Sequence, residues 1–210
     1  MKIYGLIGAQ RVGKTTLARD LAEEHGVPFC ETRVSQTLAS LGVNPQADMA
    51  FVDRLVTQER VLQALFKDYQ RAMDEHPAAP AVIVDRTPLD VLAYTTAEIQ
   101  RETLNDPDLM RAVARHENLC FTAMNSLFAG ACLVPPGIPL VPDPTKAPAN
   151  PHYQRHIHAT MLEAVVNSRN TVPTFLLGQG NVNRKSRVTD TGEHFITILS
   201  QHERSDARRN

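Results

Sequence analysis

Gly8-Ala9-Gln10-Arg11-Val12-Gly13-Lys14-Thr15 is the stretch whose reading decides the fold. It fits G-x-x-x-x-G-K-[ST], a loop whose backbone amides cradle phosphates. Before it, Lys2-Ile3-Tyr4-Gly5-Leu6-Ile7 reads as a short buried strand. After it, Thr15 to Ala22 reads as an amphipathic helix, with Leu17, Ala18, Leu21 and Ala22 on one stripe. Strand, glycine loop and helix are the context the motif requires. Gly8 and Gly13 permit turns that a side chain would block. The amides of Gly8, Ala9, Gln10, Arg11, Val12, Gly13, Lys14, Thr15 and Thr16 then face a nucleoside triphosphate such as ATP at the positive end of the helix. Lys14 reaches the β- and γ-phosphates, and the Thr15 hydroxyl is a ligand for Mg2+.

Working outward, the 210 residues suit one domain, expected over 1–200 with a polar tail at 201–210. Hydrophobic residues make up 42%, enough for a packed core, and the net charge of −1 provides no field that draws the chain to nucleic acid or to a membrane. Cys30, Cys120 and Cys132 have no paired spacing and sit in apolar contexts, as reduced core residues do. No signal peptide is visible and no apolar run approaches the roughly 20 residues of a membrane span. A cytoplasmic location is expected, in the host if the source is viral.

The first helix should stop at Gly26, before a second strand over 27–30. Glu31 and Arg33 follow that strand at its carboxyl end, where ligands sit in open α/β sheets. They read equally as substrate-facing groups or as a surface pair. A long helix is expected from about Ala47 to Glu75, with Phe51, Leu55, Leu62, Leu65, Phe66, Tyr69 and Met73 on its buried face. Gln58 falls on that face. Two readings are open: it hydrogen-bonds a substrate base, with Arg54 beside it, or it is an internally satisfied core glutamine.

Ala81-Val82-Ile83-Val84 is an apolar run suited to a central parallel strand, and Asp85-Arg86-Thr87-Pro88-Leu89-Asp90 follows it. An acid at that point lies beside the phosphate loop and holds Mg2+ or accepts a proton; the alternative is a helix cap. Arg86 is a bidentate donor for a phosphate. Asp90 is expected as a surface or supporting group. Further on, a helix over 108–127, a strand over 131–134, a helix from Pro151 to about Asn167, a strand over 174–177 and a last helix around Phe195 to Leu199 complete the alternation. His116 reads as a satisfied, half-buried core residue. His152, His156 and His158 do not share one helix face, so no metal site is expected from them.

Residues 135–151 are crowded with seven prolines and carry Asp143 and Lys146. Regular structure is excluded there, and the position favours a lid over the phosphate site. Lys146 or Arg155 would then meet the transferring phosphate, or remain solvated. The basic run 184–187 reads as a nucleic-acid contact or as a solvated face.

The alternation predicts a P-loop α/β three-layer sandwich: a parallel five-stranded sheet with helices on both faces. The phosphate loop at 8–15, Glu31-x-Arg33, and the run from Asp85 to Asp90 with Ala93-Tyr94 resemble the P-loop nucleoside and nucleotide kinases. That group includes thymidylate kinase, deoxynucleoside kinases and the nicotinamide riboside kinase type. The resemblance implies that Lys14, Asp85 and Arg86 are catalytic, that Thr15 and Asp85 hold the metal, and that Glu31, Arg33, Arg54, Gln58 and Arg86 meet the acceptor. Size and overall pattern also resemble a bacteriophage branch that phosphorylates 5-hydroxymethyluracil in DNA, towards thymidine hypermodification. The basic run and Arg208 and Arg209 would serve that substrate.

Three function classes remain. One is a kinase that transfers the γ-phosphate of ATP to a hydroxyl of a pyrimidine nucleotide, either free or in DNA. Another is an ATPase or GTPase that drives a conformational change. No N-K-x-D base-reading motif is present for a GTPase. A pure binding module would leave Asp85 and Arg86 unexplained.

Overall fold

The computed structural model describes residues 1–44, 49–99, 105–139 and 150–207. Five strands, β1 (Lys2–Ile7), β2 (Phe29–Cys30), β3 (Ala81–Val84), β4 (Phe128–Leu133) and β5 (Thr174–Leu176), form one parallel sheet in the order β2-β3-β1-β4-β5. The helices are α1 (Lys14–His25), α2 (Val34–Ser40), α3 (Phe51–Glu75), α4 (Pro88–Thr96), α5 (Pro107–Leu127), α6 (Pro151–Val166) and α7 (Arg184–Ala207). The helices α1 and α7 pack together, with α1 against β3 and α7 against β4, while α3, α4, α5 and α6 pack on one another. This is the expected α/β sandwich.

The central strands are buried from end to end, apart from Lys2 at the start of β1, because helices cover both faces. Two glycines set how closely neighbours approach. A Cβ on Gly5 would lie 2.4 Å from Thr87 Cγ2 and 2.7 Å from Phe128 Cε1. A Cβ on Gly130 of β4 would lie 2.9 Å from Ile198 Cγ1 of α7. Both substitutions would push packed groups apart.

Helix ends follow local chemistry. Gly26 closes α1 at φ 63°, a left-handed conformation that glycine adopts without strain. Thr87 and Asp90 form a reciprocal capping box at the start of α4, with Pro88 in its first turn. Asn150 caps α6 by accepting from the amides of His152 and Tyr153.

Several boundaries differ from those expected. Strand β4 begins at Phe128, because α5 runs to Leu127 and passes directly into it. The last helix spans Arg184 to Ala207, so its first turns take up the basic run and its end extends into the polar tail. His116 is buried; its Nε2 lies 3.1 Å from Thr95 Oγ1, and its Nδ1 has no hydrogen-bond partner among the described residues. Most of the expected lid, Asp143 and Lys146 included, lies outside the described residues, as do Ala47, Arg208 and Arg209.

Candidate active site

The site is assembled at the carboxyl ends of the strands, where an open parallel sheet leaves a crevice. The loop from Gly8 to Gly13 connects β1 to α1, with Arg11 at φ 65° and Gly13 at φ 90°. Gly8 is needed for a different reason than Gly13. A Cβ there would lie 2.7 Å from the Val134 carbonyl oxygen, so the loop packs directly on the chain leaving β4.

Four side chains grip the loop. The Gln10 amide donates to Tyr94 Oη at 3.0 Å, and the Gln10 carbonyl accepts from Gln154 Nε2 at 2.9 Å. The Val12 carbonyl accepts from Arg187 Nη1 at 2.9 Å. The Gly8 amide donates to Asp90 Oδ1 at 3.2 Å. Anchors from α4, α6 and α7 thus hold the loop in shape, as an anion cradle requires.

Lys14 lies beneath this loop. Its ammonium donates to the carbonyls of Gly8 and Ala9 and stands 3.7 Å from Asp90 Oδ1. Burial lowers its pKa to about 8; Asp90 opposes that shift and Arg86 adds to it. Burial likewise raises the pKa of Asp90, against the pull of Lys14 and Arg86. Asp90 has no exposed surface, so it is not a surface group. It also accepts from the Thr87 amide and hydroxyl, which satisfies both of its oxygens.

Asp85 stands at the end of β3. Its Oδ2 accepts from the Thr15 hydroxyl at 2.7 Å. Its Oδ1 accepts from the Thr32 hydroxyl at 2.7 Å and the Thr32 amide at 3.1 Å. A carboxylate with a neighbouring hydroxyl is a hard oxygen pair that suits Mg2+, which fills its remaining positions with water and phosphate oxygens. Arg86 follows, with its carbonyl held by Tyr69 Oη at 2.8 Å and its guanidinium 6.0 Å from the Tyr94 ring centre.

The acceptor-side residues divide. Glu31 is exposed and meets Arg19 at 3.4 Å, which makes it one half of a surface pair. Arg33 reaches Asp68 of α3 through its amide, Nε and Nη2, and so ties β2 to that helix. Arg54 Nε is 3.6 Å from Glu98, which also accepts from Tyr153 Oη at 2.9 Å. Gln58 is half-buried on α3, with no hydrogen-bond partner among the described residues. Arg155 is exposed on α6, beside His152.

Sequence reasoning missed Thr32, Gln154 and Arg187. Thr32 stood between two charged residues that drew the reading. Arg187 belongs to the basic run read as a nucleic-acid contact or a solvated face, although Arg187, Thr191, Phe195 and Ile198 recur at the spacing of a buried helix face.

A family profile described as an AAA domain matches residues 4–184. No curated protein matches the sequence. Among solved structures, deoxyadenosine kinase from M. mycoides with bound dATP superposes with a TM-score of 0.67 at 12% identity, covering 93% of this chain and 99% of that one. Thymidylate kinase from Candida albicans gives 0.64 at 14%, covering 93% and 91%. NadR protein in complex with NR gives 0.64 at 14%, covering 95% of this chain and 49% of that one. The chain therefore spans about half the length of the NadR protein. At these identities the likeness is one of fold.

Proposed function

The chain belongs to the AAA domain family, and from that premise we propose that it is a kinase transferring the γ-phosphate of ATP to a hydroxyl of a pyrimidine nucleotide. The observation that carries this reading is Asp85, hydrogen-bonded to Thr15 of the phosphate loop and to Thr32 beyond β2. A carboxylate in that position faces both the triphosphate and whatever lies on the β2–β3 side. Arg86 follows Asp85 directly at the end of β3, and hydrolysis alone would leave that pair with no acceptor to hold.

In this reading the loop amides and Lys14 hold the β- and γ-phosphates and neutralise charge as it spreads over the γ-phosphoryl oxygens. Thr15 and Asp85 would hold Mg2+, which when bound screens the phosphate oxygens. Asp85 orients the acceptor hydroxyl and takes its proton as the new P–O bond forms and the bond to the ADP oxygen breaks. Arg86 holds the acceptor. Arg54 and Gln58 line the acceptor side from α3.

The finer reading places that hydroxyl on the 5-hydroxymethyl group of 5-hydroxymethyluracil in phage DNA. Support for it is the resemblance in size and pattern to the phage branch. A free nucleoside or a nucleoside monophosphate is the competing acceptor, supported by the fold shared with thymidylate and deoxyadenosine kinases. Incubation with γ-labelled ATP and three acceptor pools separates them: pyrimidine nucleosides, their monophosphates, and DNA containing 5-hydroxymethyluracil. Label in the DNA pool alone is expected for the finer reading. Label only in a free pool overturns it, and release of inorganic phosphate with no labelled acceptor overturns the kinase reading.

A further inference from the structure

Arg187 is buried, with only 4% of its surface exposed, yet no carboxylate partners it among the described residues. Its Nε donates to the Asn181 carbonyl at 2.6 Å, in the loop that follows β5. Its Nη1 donates to the Val12 carbonyl at 2.9 Å, in the phosphate loop. Its Nη2 has no hydrogen-bond partner among the described residues. A buried guanidinium nitrogen with no acceptor is costly, and such groups in native proteins call for an explanation.

The surroundings suggest one. A Cβ on Gly137 would lie 3.5 Å from Nη2, 3.0 Å from the Gln179 carbonyl oxygen and 3.5 Å from Val182 Cγ1. A Cβ on Gly13 would lie 3.2 Å from Ile138 Cδ1 and 3.7 Å from Arg187 Nη1. The orphan nitrogen therefore sits where the end of the phosphate loop, the segment after β4 and the loop after β5 converge.

Sheet order says which end of the nucleotide comes here. Asp85, Arg86 and Thr32 follow β3 and β2, on one side of β1. Val134 to Ile138 and Gln179 to Val182 follow β4 and β5, on the other. In-line transfer requires the acceptor and the leaving group on opposite sides of the transferred phosphorus. With the acceptor on the β2–β3 side, the nucleoside part of the donor leaves over the β4–β5 side, past Gly13.

We propose that Arg187 is a nucleotide-reading residue: two of its nitrogens fasten the phosphate loop to the loop after β5, and the third donates to an acceptor on the nucleoside part of the phosphoryl donor. The assignment rests on the kinase reading above. It makes Arg187 a binding residue for the donor that has no part in bond-making.

The test compares two ligands on the full chain with Mg2+: ATP, and inorganic tripolyphosphate, which offers the phosphates without the nucleoside. R187Q and R187K both disturb the anchor on Val12, so both ligands are expected to weaken, with ATP affinity falling about tenfold further than tripolyphosphate affinity. R187K retains the buried cation and carries the comparison if R187Q fails to fold. Equal losses on the two ligands, or no loss on ATP, overturn the assignment and leave the kinase reading standing. An unmodified chain that binds neither ligand removes that reading and the assignment with it.

Discussion

The Asp90 carboxylate lies 3.7 Å from the Lys14 ammonium and also accepts the Gly8 amide, so one buried acid supports both the cation and the first amide of the phosphate loop. Removing it leaves a buried cation and two amides without their acceptor. Asp90→Ala is expected to lower stability by about 3 kcal/mol, with Lys14 shedding its proton to soften the loss. Asp90→Asn keeps an acceptor in place and should lose much less. Urea unfolding of the two variants measures the difference.

Lys14 gives the site a pH signature. Its pKa of about 8 lies below the ordinary 10.5, so over that interval the unfolded chain binds more protons than the folded one. This group's contribution to stability therefore rises with pH between those values. A bound triphosphate has the opposite effect, raising the lysine pKa. ATP binding near pH 8.5 should take up a fraction of a proton, and affinity should fall as pH climbs past 8. Calorimetry in buffers of different ionisation enthalpy reads the uptake directly; a proton count of zero for the unmodified chain would remove Lys14 from the site. Lys14→Ala should abolish the uptake and cut transfer by about a thousandfold.

Asp85→Asn separates chemistry from binding. The amide still accepts from one of the two threonine hydroxyls, so the loop geometry survives. It cannot take a proton from an acceptor hydroxyl. Turnover should fall by about a hundredfold, with a far smaller change in ATP affinity, both read from steady-state kinetics and equilibrium binding. An unchanged kcat would take Asp85 out of the catalytic set.

These residues also show what the chain discloses before it is folded. The phosphate loop was legible because its glycines and lysine act through backbone geometry that a local pattern encodes. The position of Asp85 beside Thr15 was legible because a fully apolar strand ends on it. Asp90 was not, since an acid in the first turn of a helix is ordinary; only the pairing of β3 beside β1, which brings the start of α4 to Gly8, makes it a support of the loop. Arg187 and Gln154 are separated from the residues they hold by more than 140 positions, and no local periodicity ties them to Val12 or Gln10. Arg33 drew attention for its charge, yet it braces Asp68.

His116 supplies an acid-side test of the fold itself. Burial lowers its pKa to about 4, and its ring lies against Thr95 and Cys120. Below the ordinary value of 6.5 the unfolded chain takes up a proton that the folded chain refuses, so stability falls as pH drops from 6.5 towards 4. The full effect approaches about 3 kcal/mol. His116→Gln should flatten that part of the profile in urea titrations at stepped pH. An identical slope in the variant would assign the acid sensitivity elsewhere.

Gly130 has a reach that its size conceals. Where it faces Ile198, β4 has no side chain, and α7 settles against bare backbone there. The same helix delivers Arg187 to the Val12 carbonyl about three turns away. A single methyl at residue 130 would act as a shim under the far end of a lever, and the tilt it caused would be felt at the loop from Gly8 to Gly13.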